Sequence, residues 1–239
     1  MVSREPVLLA VAAHATELAF FGPGESVPQG RWSEWPGGKT LMLAGGIGRE
    51  AAKRATEAAL AANRVRGLLS MGYVGALQPG WALGDIFVAD RVLLLERGLE
   101  YACTWPVFDG GFGSVRRGAL ATVDRVASTV EEKRRLAKLG ADAVDMEAFA
   151  VAELAAEHDL PFFCVKVVSD DAETEISFDF DRARRADGTV SGRAVVAQAG
   201  LSPSRWRELF ALKRNAELAS RNLAQFLLHQ CRFPSESSQ

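Results

Sequence analysis

The chain has 239 residues, with 28 lysines and arginines against 30 aspartates and glutamates, a formal net charge of −2. Its 48% hydrophobic and 24% charged content is that of a globular chain, which excludes disordered, collagen-like and disulfide-scaffold classes. There is no overall basic field for nucleic acid or an anionic membrane, and no run of about 18 apolar residues to span one.

In chain order, Val7-Leu-Leu-Ala-Val-Ala-Ala13 reads as a buried first strand. Ala13-His14-Ala15 looks like a signal-peptide cleavage site, but Glu5 cancels Arg4 and the apolar run is short, so the strand is the better reading. Thr40–Ala44 is a second strand, ending in Gly45-Gly46-Ile47-Gly48, and the Ala-rich stretch from Arg49 to Arg64 predicts a helix. Gly67–Met71 is a third strand, closing on Gly72-Tyr73-Val74-Gly75. Asp85–Asp90 and Val92–Leu95 read as further strands, and 123–139 as a helix whose run Glu131-Glu132-Lys133-Arg134-Arg135 forms a solvated face. Ala143–Met146 leads into a helix from Glu147 to His158. Pro161 stops it, and Phe162–Val168 comes next as a long buried strand. The segment 179–192, with an Asp187-Gly188 turn, is polar and reads as solvated loop ahead of a mobile flap, and a last helix runs from Pro203 to Leu228. Strands alternating with helices predict an α/β fold around a largely parallel sheet, in a single domain over 1–239.

Ligands of such sheets bind beyond the carboxyl ends of the strands. There stand His14, Thr16 and Glu17; Asp145, Met146 and Glu147; Ser169, Asp170 and Asp171; and two glycine turns. Carboxylates converging on one rim suit a reaction that needs an acid, a base and hydroxyl recognition, as in breaking a sugar acetal. Each has an ordinary explanation as well: Glu147 favours a helix start, Asp170 caps the segment after its strand, and Glu17 lies on the surface.

Other chemistries find less support. Gly46-Ile-Gly48-Arg-Glu-Ala51 fits G-x-G-x-x-A, yet the next strand, Gly67–Met71, lacks the terminal acid that would hold a ribose, so no nicotinamide cofactor is expected. Cys103, Cys164 and Cys231 are far apart and without a C-x-x-C pair, and His14, His158 and His229 are scattered. No zinc site follows, and a reducing cytoplasm is the expected setting. Cys164, inside an apolar strand, is a core residue, and Trp32, Trp35, Trp81, Trp105 and Trp206 are expected in packing before ligand contact.

Val144-Asp-Met-Glu-Ala148, a helix, and then Pro161-Phe-Phe-Cys-Val-Lys-Val-Val-Ser-Asp170 resemble the purine nucleoside phosphorylase superfamily. The resemblance is strongest to its nucleosidase branch, typified by methylthioadenosine/S-adenosylhomocysteine nucleosidase. Gly45–Gly48, Gly72–Leu77 and Leu83–Asp90 fall in the family's order, so the likeness covers residues 7–178. From Arg184 onward the chain is similar to the hopanoid-associated nucleoside phosphorylases, thought to act on adenosylhopane.

The resemblance implies a three-layer nucleoside phosphorylase-like fold with a mixed central sheet flanked by helices. It also implies a purine nucleoside as substrate, a homodimer, and no metal or organic cofactor. Glu17 would activate the attacking water, Asp170 would protonate the leaving purine, and Glu147 would hold the ribose hydroxyls with Met146 packed on the sugar. Gly48, Tyr73, Gly75 and Ser169 would complete the binding site. Val126 and Ala127 fall near the base-stacking position, and Phe178 where an aromatic covers the ligand's tail. The family's phosphorylases hold phosphate with arginines, one just before the Gly-x-x-Gly turn. Here Ser70 and Met71 stand there, which favours water as nucleophile. Arg49, Arg116 or Arg117 could substitute, leaving phosphorolysis as the alternative, with a non-catalytic nucleoside-binding protein last.

Overall fold

β1 (Val7–Ala12) is buried along its whole length. A strand can be apolar at every position only where both faces of its sheet are covered. That is the case here, in a computed structural model that describes residues 5–27, 30–108, 115–185 and 188–234. Val7, Leu9 and Val11 point into one core with Ala52 and Ala59 of α1 (Arg49–Ala62) and Val151 and Leu154 of α3 (Ala148–Glu157). Leu8, Ala10 and Ala12 point into a second core against Leu223, Phe226 and Leu227 of α6 (Pro203–His229).

A 3₁₀ turn, Ala15–Leu18, comes after β1. The remaining strands of the large sheet are β2 (Glu25–Val27), β3 (Gly30–Trp35), β4 (Gly38–Ala44), β5 (Val65–Ala76), β6 (Ile86–Leu94), β7 (Leu99–Ala102), β9 (Val115–Thr122), β10 (Ala143–Asp145) and β11 (Phe162–Asp170). β8 (Val107–Phe108) pairs instead with β12 (Cys231–Arg232), and three shorter helices complete the set: α2 (Val130–Lys138), α4 (Phe180–Ala183) and α5 (Gly192–Ala199).

The order is β10-β9-β6-β11-β5-β1-β4-β3-β2, with β7 beside β6. β10 also pairs with β5, so five strands (β5, β11, β6, β9, β10) close into a ring. Pairings are parallel at β1–β4, β1–β5, β5–β11, β6–β9 and β9–β10, and antiparallel at β5–β10 and β6–β11. The sheet is therefore mixed and flanked by helices, as the resemblance implies.

Several boundaries differ from the sequence reading. β5 runs on through Gly72–Gly75, because pairing with β11 continues from Leu68 to Gly75 and Gly72, at φ +126, lets the strand bend without ending. Asp85–Asp90 and Val92–Leu95 are one strand, β6, with a bulge between Ala89 and Arg91. The helix read over 123–139 starts only at Val130, where Thr129 and Glu132 form a capping box. The segment 179–192 is not a solvated loop: Phe178 and Ala183 pack with Val195 and Ala199, and Arg184 bridges to Val190. Asp187 of the expected turn lies outside the described residues.

Candidate active site

Glu17 sits on the 3₁₀ turn after β1 and is 3% exposed. Its Oε2 accepts the His14 amide at 2.8 Å and its Oε1 the Tyr73 amide at 3.1 Å. The carboxylate lies over the bare backbone of β5, since a Cβ on Gly72 would stand 2.5 Å from Oε1. Burial raises the Glu17 carboxyl above its ordinary value, against the lowering pull of those amides and of Lys166.

Glu147 comes from the junction of β10 and α3. It precedes α3 without making a side-chain cap, and its Oε1 accepts the Gly48 amide at 2.8 Å. Burial, with Asp145 next in effect, pushes its carboxyl well up. The cap is supplied by Asp145, whose Oδ2 accepts the Ala148 amide at 2.9 Å. Asp145 Oδ1 accepts the Thr122 hydroxyl at 2.7 Å, and Oδ2 meets Lys166 Nζ at 2.9 Å. Burial alone would push the Lys166 ammonium down; Asp145, Cys164 and Glu147 outweigh it, and the net shift is upward.

Asp170 ends β11. The ladder with β5 shifts register between Val168 and Asp170, so Asp170 falls opposite Gly75, where a Cβ would stand 3.0 Å from its Oδ2. Bulges of this kind re-aim side chains beside active sites. Ser169 donates to Asp170 Oδ1 at 2.7 Å, and Lys133 Nζ reaches Oδ2 at 2.5 Å.

These groups open onto a cavity of about 460 Å³. Glu17, Tyr73, Gly75, Val126, Ala127, Met146, Glu147, Ser169 and Asp170 all line it. Another part of its wall is mostly apolar, built from Ile176, Phe180, Val190, Leu209, Leu212 and Ala216, with Lys213 among them. A family model described as "Phosphorylase superfamily" matches residues 8–111 and 109–199. The chain belongs to that superfamily.

Among the superfamily's curated members, the 5′-methylthioadenosine/S-adenosylhomocysteine nucleosidase of Listeria monocytogenes (strain HCC23) is 26% identical over 178 residues, 62% of this chain and 76% of that protein. The nucleosidase of the same description from Mycobacterium bovis is 27% identical over 191 residues, 60% and 74% of the two chains. A solved Helicobacter pylori 5′-methylthioadenosine/S-adenosyl homocysteine nucleosidase, a mutant with 5′-methylthioadenosine in its active site, superposes with a TM-score of 0.68. It covers 93% of this chain and 96% of its own at 16% identity. The Streptococcus pneumoniae enzyme with a transition-state inhibitor gives 0.67 at 17% identity, covering 95% and 97%. At these identities the shared property is the superfamily fold.

Two expected site residues stand apart from the cavity of this superfamily member. Gly48 acts through its amide on Glu147. Phe178 is 3% exposed in the cluster beneath α5, and Phe180 is the aromatic that faces the cavity instead. None of the five tryptophans lines it; Trp81 packs on Phe87 and Trp206 on Phe210. Cys164 is fully buried and pushed up to about 12 by burial. The three candidate phosphate-binding arginines are engaged elsewhere: Arg49 with Asp124 and Glu96, Arg116 with Asp85, and Arg117 with Asp90.

Sequence reasoning missed two lysines. Lys133 is not on a solvated face but 1% exposed against Asp170. Lys166 carried a usable signal, since a lone charge in an apolar strand must find a partner when buried.

Proposed function

We propose that this superfamily member hydrolyses the N-glycosidic bond of adenosine-type nucleosides, with water as the nucleophile. One observation carries the reading: Glu17, Glu147 and Asp170 line a single cavity, and among its described lining residues none is an arginine. Beneath it, three buried carboxylates (Glu17, Asp145, Glu147) face one buried ammonium, Lys166. A phosphate dianion needs charge-assisted donors to hold it, and no guanidinium stands among the described lining residues to supply them.

As the bond from C1′ to the purine lengthens, its electron pair passes to the base and the ribose becomes oxocarbenium-like. Asp170 gives a proton to an imidazole nitrogen of the purine. Glu17 takes a proton from the water that attacks C1′, a task helped by burial, which makes its carboxylate a better base. Glu147, held by the Gly48 amide, receives the ribose hydroxyls, and Met146 packs on the sugar. Val126 and Ala127 flank the base. The apolar wall from Ile176 to Ala216 suits an apolar substituent on the 5′ carbon, such as the methylthio group of one substrate named for the nucleosidase relatives. Leu99 on β7, Trp105 in the segment after it and Val107 on β8 are exposed apolar side chains, available to a homodimer contact.

The test is adenine release from 5′-methylthioadenosine, S-adenosylhomocysteine and adenosine by wild type, Glu17→Ala and Asp170→Asn. Wild type is expected to release adenine, and each variant to lose about 10²–10⁴-fold in kcat. No release from any of the three, or an Asp170→Asn variant within a few-fold of wild type, overturns the reading.

A further inference from the structure

Of the five charged residues on α2 from Glu131 to Arg135, only Lys133 is buried. An ammonium has three N–H donors and no acceptor. All three are used here: Asp170 Oδ2 at 2.5 Å, the Asp171 carbonyl at 2.6 Å and the Thr174 carbonyl at 3.0 Å. On its other side, Asp170 Oδ1 accepts the Ser169 hydroxyl at 2.7 Å. The β11 ladder has already shifted register at this point, so the backbone alone does not fix the direction of the Asp170 side chain. The lysine both orients that carboxyl and ties down the turn after it.

We infer that Lys133 is a positioning residue for base departure: it holds Asp170 toward the cavity and stabilises the carboxylate left when Asp170 has given up its proton. The inference rests on the proposed role of Asp170. In the step itself, the Asp170 O–H bond breaks, an N–H bond forms on the purine, and the glycosidic electron pair moves to the base. The Asp170 carboxylate that results faces the Lys133 ammonium. It regains a proton from water once the base has left, and Lys133 keeps all of its own throughout.

The experiment compares two substrates that share a sugar: 5′-methylthioadenosine, and the 4-nitrophenyl glycoside of 5-methylthioribose, whose phenolate departs without a proton. Lys133→Met is expected to lower kcat on the nucleoside about 10–100-fold at nearly unchanged KM, as loss of support for a general acid should. Turnover of the nitrophenyl glycoside is expected to stay near wild type, and Lys133→Arg to restore most of the nucleoside activity. In an Asp170→Asn background, Lys133→Met is expected to add almost nothing. Equal losses on both substrates, or losses that multiply in the double variant, overturn the inference. Should Lys133→Met alone fail to fold, the neutral pair in the double variant, compared with Asp170→Asn, decides in the same way. An Asp170→Asn variant unaffected on the nucleoside would instead sink the proposed role of Asp170.

Discussion

Gly72 offers the sharpest structural test of Glu17. An alanine there would place its Cβ 2.5 Å from Glu17 Oε1, 2.8 Å from Cδ and 3.0 Å from Oε2, at φ +126. The backbone conformation alone costs a side-chain-bearing residue about 1–3 kcal/mol. Moving the carboxylate also strips the acceptor from the His14 or Tyr73 amide, at about 1–3 kcal/mol for a donor left unsatisfied. Gly38 is the control, because it has nearly the same φ, +118, and a methyl group there would meet nothing within 4 Å. Urea unfolding should therefore find Gly72→Ala less stable than Gly38→Ala by about 1–3 kcal/mol. Adenine release should fall about 100-fold or more in Gly72→Ala, through displacement of the base, and stay near wild type in Gly38→Ala. Equal destabilisation by the two substitutions, with activity retained in both, would refute the placement of Glu17 against β5 as the source of its role.

Glu147→Gln keeps an acceptor for the Gly48 amide but removes a carboxyl whose value is raised in the fold. Above the ordinary 4.5, the folded protein holds that proton while the unfolded chain has lost it, so the group makes stability fall as pH rises toward the folded value. Thermal unfolding from about pH 5 to about pH 8 should show the variant gaining on wild type, while adenine release is lost; a steady or reversed difference contradicts the burial argument. Tyr73→Phe removes the hydroxyl shared with Ser220 Oγ at 2.6 Å and the Ala216 carbonyl at 3.2 Å. It should cost about 1–2 kcal/mol in urea unfolding with kcat little changed, and an unaltered midpoint would show that this tie to α6 carries no stability. Thr129→Ala breaks the capping box of α2, with an expected loss of about 1 kcal/mol by the same assay.

The candidate site's rim was legible because it obeys a local rule. Glu17, Glu147 and Asp170 each stand where an apolar run ends, and strand ends of a sheet covered on both faces converge on one edge. The counter-charges were not legible in the same way. Lys133 lies in a run of five charges, and a helix of nine residues turns only some of them outward; which one faces inward depends on β11, which starts 29 positions later at Phe162. Phe178 and Phe180 differ by two positions, and the short helix α4 beginning at Phe180 decides which ring meets the cavity. The polar look of 179–192 concealed Phe180 and Val190, two apolar residues that suffice to build a wall once α6 stands opposite. The hairpin of β2 and β3 was also missed, since Trp32 and Trp35 are its only buried positions among the described residues.

The claim that water, directed by this carboxylate cluster, is the nucleophile is tested most directly by product identity. 5′-Methylthioadenosine would be turned over with phosphate varied from none to saturating, and the sugar product followed by phosphorus and proton NMR. Free 5-methylthioribose is expected at every phosphate level, at a rate that phosphate does not raise. A sugar 1-phosphate, formed only when phosphate is present, would contradict water as the nucleophile.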